Sequence, residues 1–307
     1  MAAGSIRVIC GPTAAGKSGV ALRLAIEYGA TIISADSRQI YKGFDIGTAK
    51  PSVSETRVVP HRGVDIIEPN ERYSASSWAA AAINWIAETE QDRRVPLIVG
   101  GTGFYIRALF DPLFQAPPID AARRESLARL LAGMPLPELR RWCQILDTGK
   151  AQLGRVQLTR AIETALLAGQ RLSDLQRTSA TATPESLALR PHYLVVDPGS
   201  ALGSHIENRV DAMLAAGWAD EVQSLNANVP ERAPAWKASG YRVVRALVRG
   251  ETDLSSARAR IIIETRQYAK RQRTWFRHQL GEASVTRVNP DDPDCAAAVE
   301  RWWKELT

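Results

Sequence analysis

Hydrophobic positions along the chain follow two periods. Ile6–Cys10 is a short β-branched run that ends in a glycine turn, and Lys17–Tyr28 follows with Val20, Leu24 and Tyr28 at helical spacing, which predicts strand, loop and helix. Thr31–Ser34 predicts a second strand and Ser76–Glu90 an alanine-rich helix. Val95–Val99 is a nearly continuous apolar run of the kind that parallel sheets bury on both faces. Strands alternating with helices predict a parallel α/β sheet. The pattern changes after Leu113, where Pro112, Pro117 and Pro118 punctuate the chain and helical periodicity continues to about residue 190 without a good strand. The sheet is expected to resume at Tyr193–Val196, and helices then dominate, the longest over Leu254–His278.

Composition narrows the classes. With 307 residues, 45% hydrophobic and 23% charged, the chain has the make-up of a folded globular protein, which excludes disordered, collagenous and coiled-coil classes. The longest uncharged stretch, Tyr73–Ala87, carries three serines and an asparagine and falls short of the roughly 20 apolar residues a bilayer needs, so no membrane span is expected. No apolar signal region precedes the first glycine-rich turn, and the expected location is the cytoplasm. Cys10, Cys143 and Cys295, and the histidines at 61, 192, 205 and 278, are too scattered for a disulfide framework or a zinc site. The formal net charge is +6, yet Lys237–Leu280 alone holds eleven basic residues against Glu251, Asp253 and Glu264. That concentration points to a polyanionic partner.

Three motifs carry candidate chemistry. Gly11-Pro12-Thr13-Ala14-Ala15-Gly16-Lys17-Ser18 fits a glycine, four residues, then Gly-Lys-Ser, set between a predicted strand and a predicted helix. Such a loop curls backbone N–H groups round a phosphate at a helix N-terminus, while Lys17 adds a mobile charge and the Ser18 hydroxyl suits Mg²⁺. The fold expected is therefore a P-loop NTPase-like parallel sheet flanked by helices, residues 1–115 and 191–307, with an all-helical insertion at 116–190. The loop alone leaves kinase, NTPase and transferase open. Asp36, in Ser34-Ala35-Asp36-Ser37-Arg38-Gln39-Ile40-Tyr41, follows the second strand at the sheet edge where α/β proteins place ligands, as a general base or as a helix cap. Gly100-Gly101-Thr102-Gly103-Phe104-Tyr105 brings a hydroxyl and flexible backbone to the same edge.

Together with Asp45-Ile46-Gly47-Thr48-Ala49-Lys50-Pro51, Gly240-Tyr241-Arg242 and the run Thr265–Arg277, these motifs resemble the tRNA dimethylallyltransferase family nearly from end to end. The resemblance implies transfer of a dimethylallyl group from its diphosphate to the N6 amine of an adenosine next to the anticodon. It implies Asp36 as the catalytic carboxylate, Thr102 as a hydrogen-bonding partner at the reacting centre, and residues 11–18 with Arg209 as the diphosphate clamp, with Mg²⁺ at Ser18. It implies tRNA contacts from Asp36, Ser37, Arg38 and Gln39, from Arg124, Gln157 and Arg160 in the insertion, and from Tyr241 and Arg242. Arg266, Lys270, Arg273 and Arg277 recur every three or four residues on one predicted helix, a stripe suited to a phosphate backbone. The partners expected are a tRNA anticodon stem-loop and dimethylallyl diphosphate, with the chain acting as a monomer. An adenylate isopentenyltransferase acting on free AMP, ADP or ATP and a P-loop small-molecule kinase are the competing functions.

Overall fold

A computed structural model describes residues 4–111, 119–181, 189–280 and 284–306. The elements run β1 (Ser5–Cys10), α1 (Lys17–Tyr28), β2 (Ala30–Ser34), α2 (Val53–Val58), β3 (His61–Arg62), α3 (Ala75–Gln91), β4 (Val95–Gly100) and α4 (Gly103–Phe110). Then come α5 (Ala121–Ala132), α6 (Leu136–Leu146), α7 (Arg155–Ala168), α8 (Leu172–Thr181) and β5 (Arg190–Val196). The chain ends with α9 (Leu202–Ala215), α10 (Trp218–Asn228), α11 (Tyr241–Val248), α12 (Leu254–His278), β6 (Val285–Val288) and α13 (Cys295–Lys304). It divides into two compact units, residues 1–110 with 188–307, and residues 111–187.

The larger unit is organised by a six-stranded sheet of order β3-β2-β4-β1-β5-β6, parallel at every pairing. Parallel strands bury both faces, which is why β1, β2 and β4 read as apolar runs. The register opposes Cys10 to Gly100 and Ser34 to Val99, so β1, β2 and β4 all release their chains at one edge. Gly11, Asp36 and Thr102 therefore start from neighbouring points. Ile9, Leu24, Leu97, Val99, Leu194 and Val196 form the core beneath that edge, joined by Trp302 and Trp303 of α13. Trp303 is held by two neighbours: Tyr28 stacks on it at 4.8 Å and the Arg7 guanidinium sits 4.4 Å from its ring centroid.

The smaller unit consists, among its described residues, of α5–α8 and a short 3-10 turn, with no strand. Its own core is Leu131, Leu139, Cys143, Leu158, Ile162 and Leu172. Two strands escape the hydrophobic pattern. β3 is only the polar pair His61–Arg62, and β6 carries Thr286 and Arg287, so each owes its state to the neighbour it pairs with. Among the described residues no helix is long and apolar enough to cross a membrane.

Candidate active site

The phosphate loop is made of backbone. β1 hands over to Gly11, and Gly16 caps α1 in the left-handed conformation (φ 82°) without any side-chain cap on the first-turn amides. Those amides converge at the positive end of a helix, the arrangement that attracts an anion. Ala14 also takes a positive φ of 62°, unusual for a residue with a side chain. Lys17 arches over the loop and donates from Nζ to the Pro12 carbonyl at 2.6 Å.

Asp36 and Thr102 are brought together by strand pairing. The Ala35 amide donates to Val99 O at 2.8 Å and the Thr102 amide donates to Ala35 O at 3.1 Å, which stitches the ends of β2 and β4 side by side. Thr102 Oγ1 accepts the Ser37 amide at 3.0 Å, and Asp36 Oδ1 accepts the Arg38 amide at 2.8 Å. The Thr102 hydroxyl also interacts with Tyr268 of α12, whose phenol is pushed up to about 12 by burial and by the nearby Asp36 carboxylate.

Arg209, half-buried on α9, completes the group. Burial pulls its guanidinium below the ordinary arginine value, opposed by the Asp36 charge. Burial, followed by the repulsion of Arg209, holds Lys17 down to about 8, with Asp36 opposing. Two desolvated cations that repel each other beside one carboxylate form a site that an added anion would relax.

Two cavities open from this point. The larger, about 540 Å³, is lined by Arg38, Trp218, Trp236, Arg242, Tyr268 and Arg271 among others. The smaller, about 310 Å³, is lined by Lys17, Ser18, Ser34, Lys50, His61 and Gln272 among others. Thr13, Asp36, Thr48 and Arg209 line both. The arrangement presents an anion cradle on one side, a basic and aromatic chamber on the other, and a carboxylate at their junction.

The remaining expected residues are distributed unevenly. Arg38 and Arg242 line the larger cavity. Gln39 lines the smaller cavity with its amide already engaged: it accepts from Ser34 Oγ at 2.8 Å and donates to Thr48 O at 3.3 Å and Ala49 O at 2.9 Å, bracing the loop that carries Thr48. Tyr241, expected to contact tRNA, has a side chain that does not reach the surface. Its ring is fully buried against Phe44 and Trp218 and its hydroxyl donates to Glu221 at 2.7 Å, so burial forces it into the core.

The α12 stripe is divided. Arg273 forms an ion pair with Asp197, and Arg266 one with Glu207 on α9. Lys270 and Arg277 are exposed. In the helical unit, Arg124 pairs with the buried Glu163 at 3.1 Å, while Gln157 and Arg160 lie exposed on α7. Sequence reasoning missed Tyr268, Arg271, Lys237 and Gln272 as site residues. Gln272 had a signal, a polar residue on the apolar stripe Ala257, Ile261, Thr265, Ala269 and Phe276.

Comparison with known proteins yields one consistent set of relatives. A family described as IPP transferase matches residues 39–279, and one described as isopentenyl transferase matches residues 4–61. The tRNA dimethylallyltransferase of Deinococcus radiodurans is 36% identical over 310 residues, covering 98% of each chain. That of Geobacter metallireducens is 40% identical over 275 residues, covering 88% of each. The solved tRNA isopentenylpyrophosphate transferase of Bacillus halodurans is 28% identical with a TM-score of 0.65, covering 98% of both chains. A eukaryotic dimethylallyltransferase acting on tRNA shares the fold at a TM-score of 0.79 and 21% identity, over 97% of this chain and 77% of that one.

Proposed function

The chain belongs to the IPP transferase family, that of the tRNA dimethylallyltransferases, and on that premise we propose that it moves a dimethylallyl group from dimethylallyl diphosphate to the N6 amine of an adenosine beside the anticodon of a tRNA. One observation carries the reading: Asp36 sits where the cavity of the phosphate loop meets the basic, aromatic cavity.

The loop amides, Lys17 and Arg209 bind the diphosphate and stabilise the charge that grows on it as the allylic C–O bond breaks. The adenine amine attacks the freed allylic carbon and its proton passes to the Asp36 carboxylate, whose Oδ1 is steadied by the Arg38 amide. Thr102 lies beside Asp36 and fixes the Ser37 backbone next to it. Adenosine has to leave its stack to reach this point, and Trp218, Trp236 and Tyr268 supply aromatic walls for an extruded base.

The residues present fit a divalent cation of the Mg²⁺ class. Ser18 and Asp36 offer hard oxygen donors in the same cavity as Lys17, and Mg²⁺ is characteristically held by few protein oxygens together with phosphates. When bound, Mg²⁺ neutralises charge on the diphosphate oxygens. Arg38, Lys237, Arg242 and Arg271 at the larger cavity, with Lys270 and Arg277 on the exposed side of α12, form the tRNA-facing surface. Arg124, Gln157 and Arg160 extend the RNA contacts from the helical unit.

Diphosphate release tests the reading. With dimethylallyl diphosphate and Mg²⁺, tRNA should trigger stoichiometric release of diphosphate, and AMP or ATP should not. Release driven equally by AMP would move the chain to the free-adenylate prenyltransferases.

A further inference from the structure

One side chain joins the two halves of the reacting centre. Gln272 Oε1 accepts the Thr13 amide of the phosphate loop at 2.8 Å, and its Nε2 donates to the Gly101 carbonyl at 2.8 Å. The residue is 6% exposed, and both polar ends of its carboxamide are satisfied by backbone inside the protein. Its orientation is fixed, because a flipped amide would face donor to donor and acceptor to acceptor.

The rest of α12 is built round this contact. A Cβ at position 101 would lie 2.3 Å from Gln272 Nε2, and one at position 103 would lie 2.3 Å from the Trp275 ring, so only glycines let the helix settle on the turn. One turn earlier, Tyr268 meets the Thr102 hydroxyl. Thr13 belongs to the loop that grips the leaving group, and Gly101 precedes the threonine that lies beside Asp36.

We propose that Gln272 is a positioning residue for prenyl transfer: by tying Thr13 to Gly101 it sets the spacing between the departing diphosphate and the carboxylate that receives the proton. This rests on the prenyl-transfer reading above. Gln272 need touch neither substrate. Its effect is geometric, and misplacement by about 1 Å costs such reactions on the order of 10²-fold.

Two substitutions test it. Gln272→Met keeps length and bulk but makes neither hydrogen bond, so kcat should fall about 10- to 100-fold. Pyrophosphate affinity and the tRNA KM should stay close to wild type. Gln272→Glu accepts from Thr13 but opposes an anionic oxygen to the Gly101 carbonyl. Protonated, the same side chain donates to Gly101 and accepts from Thr13, reproducing the glutamine pattern. The ratio of its kcat to that of wild type should therefore rise as pH falls.

A Met variant that melts early but turns over normally per folded molecule would reduce Gln272 to a core residue and overturn the proposal. So would a Glu-to-wild-type ratio that ignores pH, and that ratio decides the matter alone if the Met variant does not fold. Absence of prenyl transfer by the wild-type chain would instead remove the functional reading.

Discussion

The phosphate loop makes its site from one short stretch of backbone, whereas the cavity beside it takes Asp36 from the end of β2, Arg209 from α9 and Tyr268 from α12, with Thr102 at the end of β4 bonded to the Ser37 amide next to Asp36. In the first region amide groups do the binding, and the side chains of Ala14 and Ala15 are small enough to leave them free to do so. In the second, each group arrives on a different element and is aimed by packing. The first region should accordingly be set by its backbone: by the glycines, by Lys17 and Ser18, and by small side chains at Ala14, with its positive φ, and at the buried Ala15. The second should respond to substitutions well away from the substrate.

The largest effect that would sharpen this contrast is on chemistry. Asp36→Asn keeps shape and the hydrogen bond from Arg38 but removes the base, so the single-turnover rate should fall about 10²- to 10⁴-fold with pyrophosphate affinity little changed. A near-normal rate would make Asp36 a cap for the Ser37–Gln39 turn and nothing more.

Binding of the leaving group comes next. Lys17→Met removes a charge-assisted contact, and affinity for dimethylallyl diphosphate should drop about 10- to 100-fold. In wild type the protonated lysine is the binding form and titrates at about 8. Affinity should be complete below that pH and decline as pH rises through it, whereas Lys17→Arg should flatten the profile over the same range. Calorimetry across pH 7 to 9, about the span on either side of that titration, checks both. A wild-type profile as flat as that of the arginine variant would count against Lys17.

Smaller effects test α12. Arg273 spans to Asp197 from a position about two-thirds buried, and Arg273→Ala should cost about 1 to 2 kcal/mol of folding stability while leaving the salt dependence of tRNA binding unchanged. Lys270→Ala with Arg277→Ala should do the reverse. Melting should be unaffected, tRNA binding should weaken a few-fold, and the slope of log affinity against log salt should flatten by roughly one unit or less per residue. If the Arg273 variant flattened that slope instead, the division of the stripe into ion-paired and RNA-facing residues would collapse.

This contrast also explains what the sequence could reveal. β1, α1 and α12 were legible because burial imposes a continuous apolar run on a parallel strand and a period of 3.6 on a helix, and α12 begins and ends where the pattern does, at Leu254 and His278. Eight consecutive residues sufficed for the phosphate loop because its geometry is local. Asp36 and Thr102 could be named from their motifs, but their closeness depends on the β2–β4 register, which no local pattern encodes. The arginine spacing on α12 placed Arg266 and Arg273 on one face, yet their carboxylate partners Glu207 and Asp197 lie far back in the chain. The burial of Tyr241 was hidden for a related reason. It follows a glycine in a basic stretch, and only the packing of Phe44 and Trp218 around it shows that it is core.

The most direct test of the central claim is the identity of the atom that receives the prenyl group. Wild-type protein with tRNA, isotopically labelled dimethylallyl diphosphate and Mg²⁺, followed by digestion to nucleosides and mass spectrometry, should place the label on N6 of one adenosine beside the anticodon. With Asp36→Asn almost no label should appear in the time that wild type needs for one turnover. Label on free adenylate, on any other nucleoside, or at equal rate in the Asn variant would contradict an acceptor site organised around Asp36.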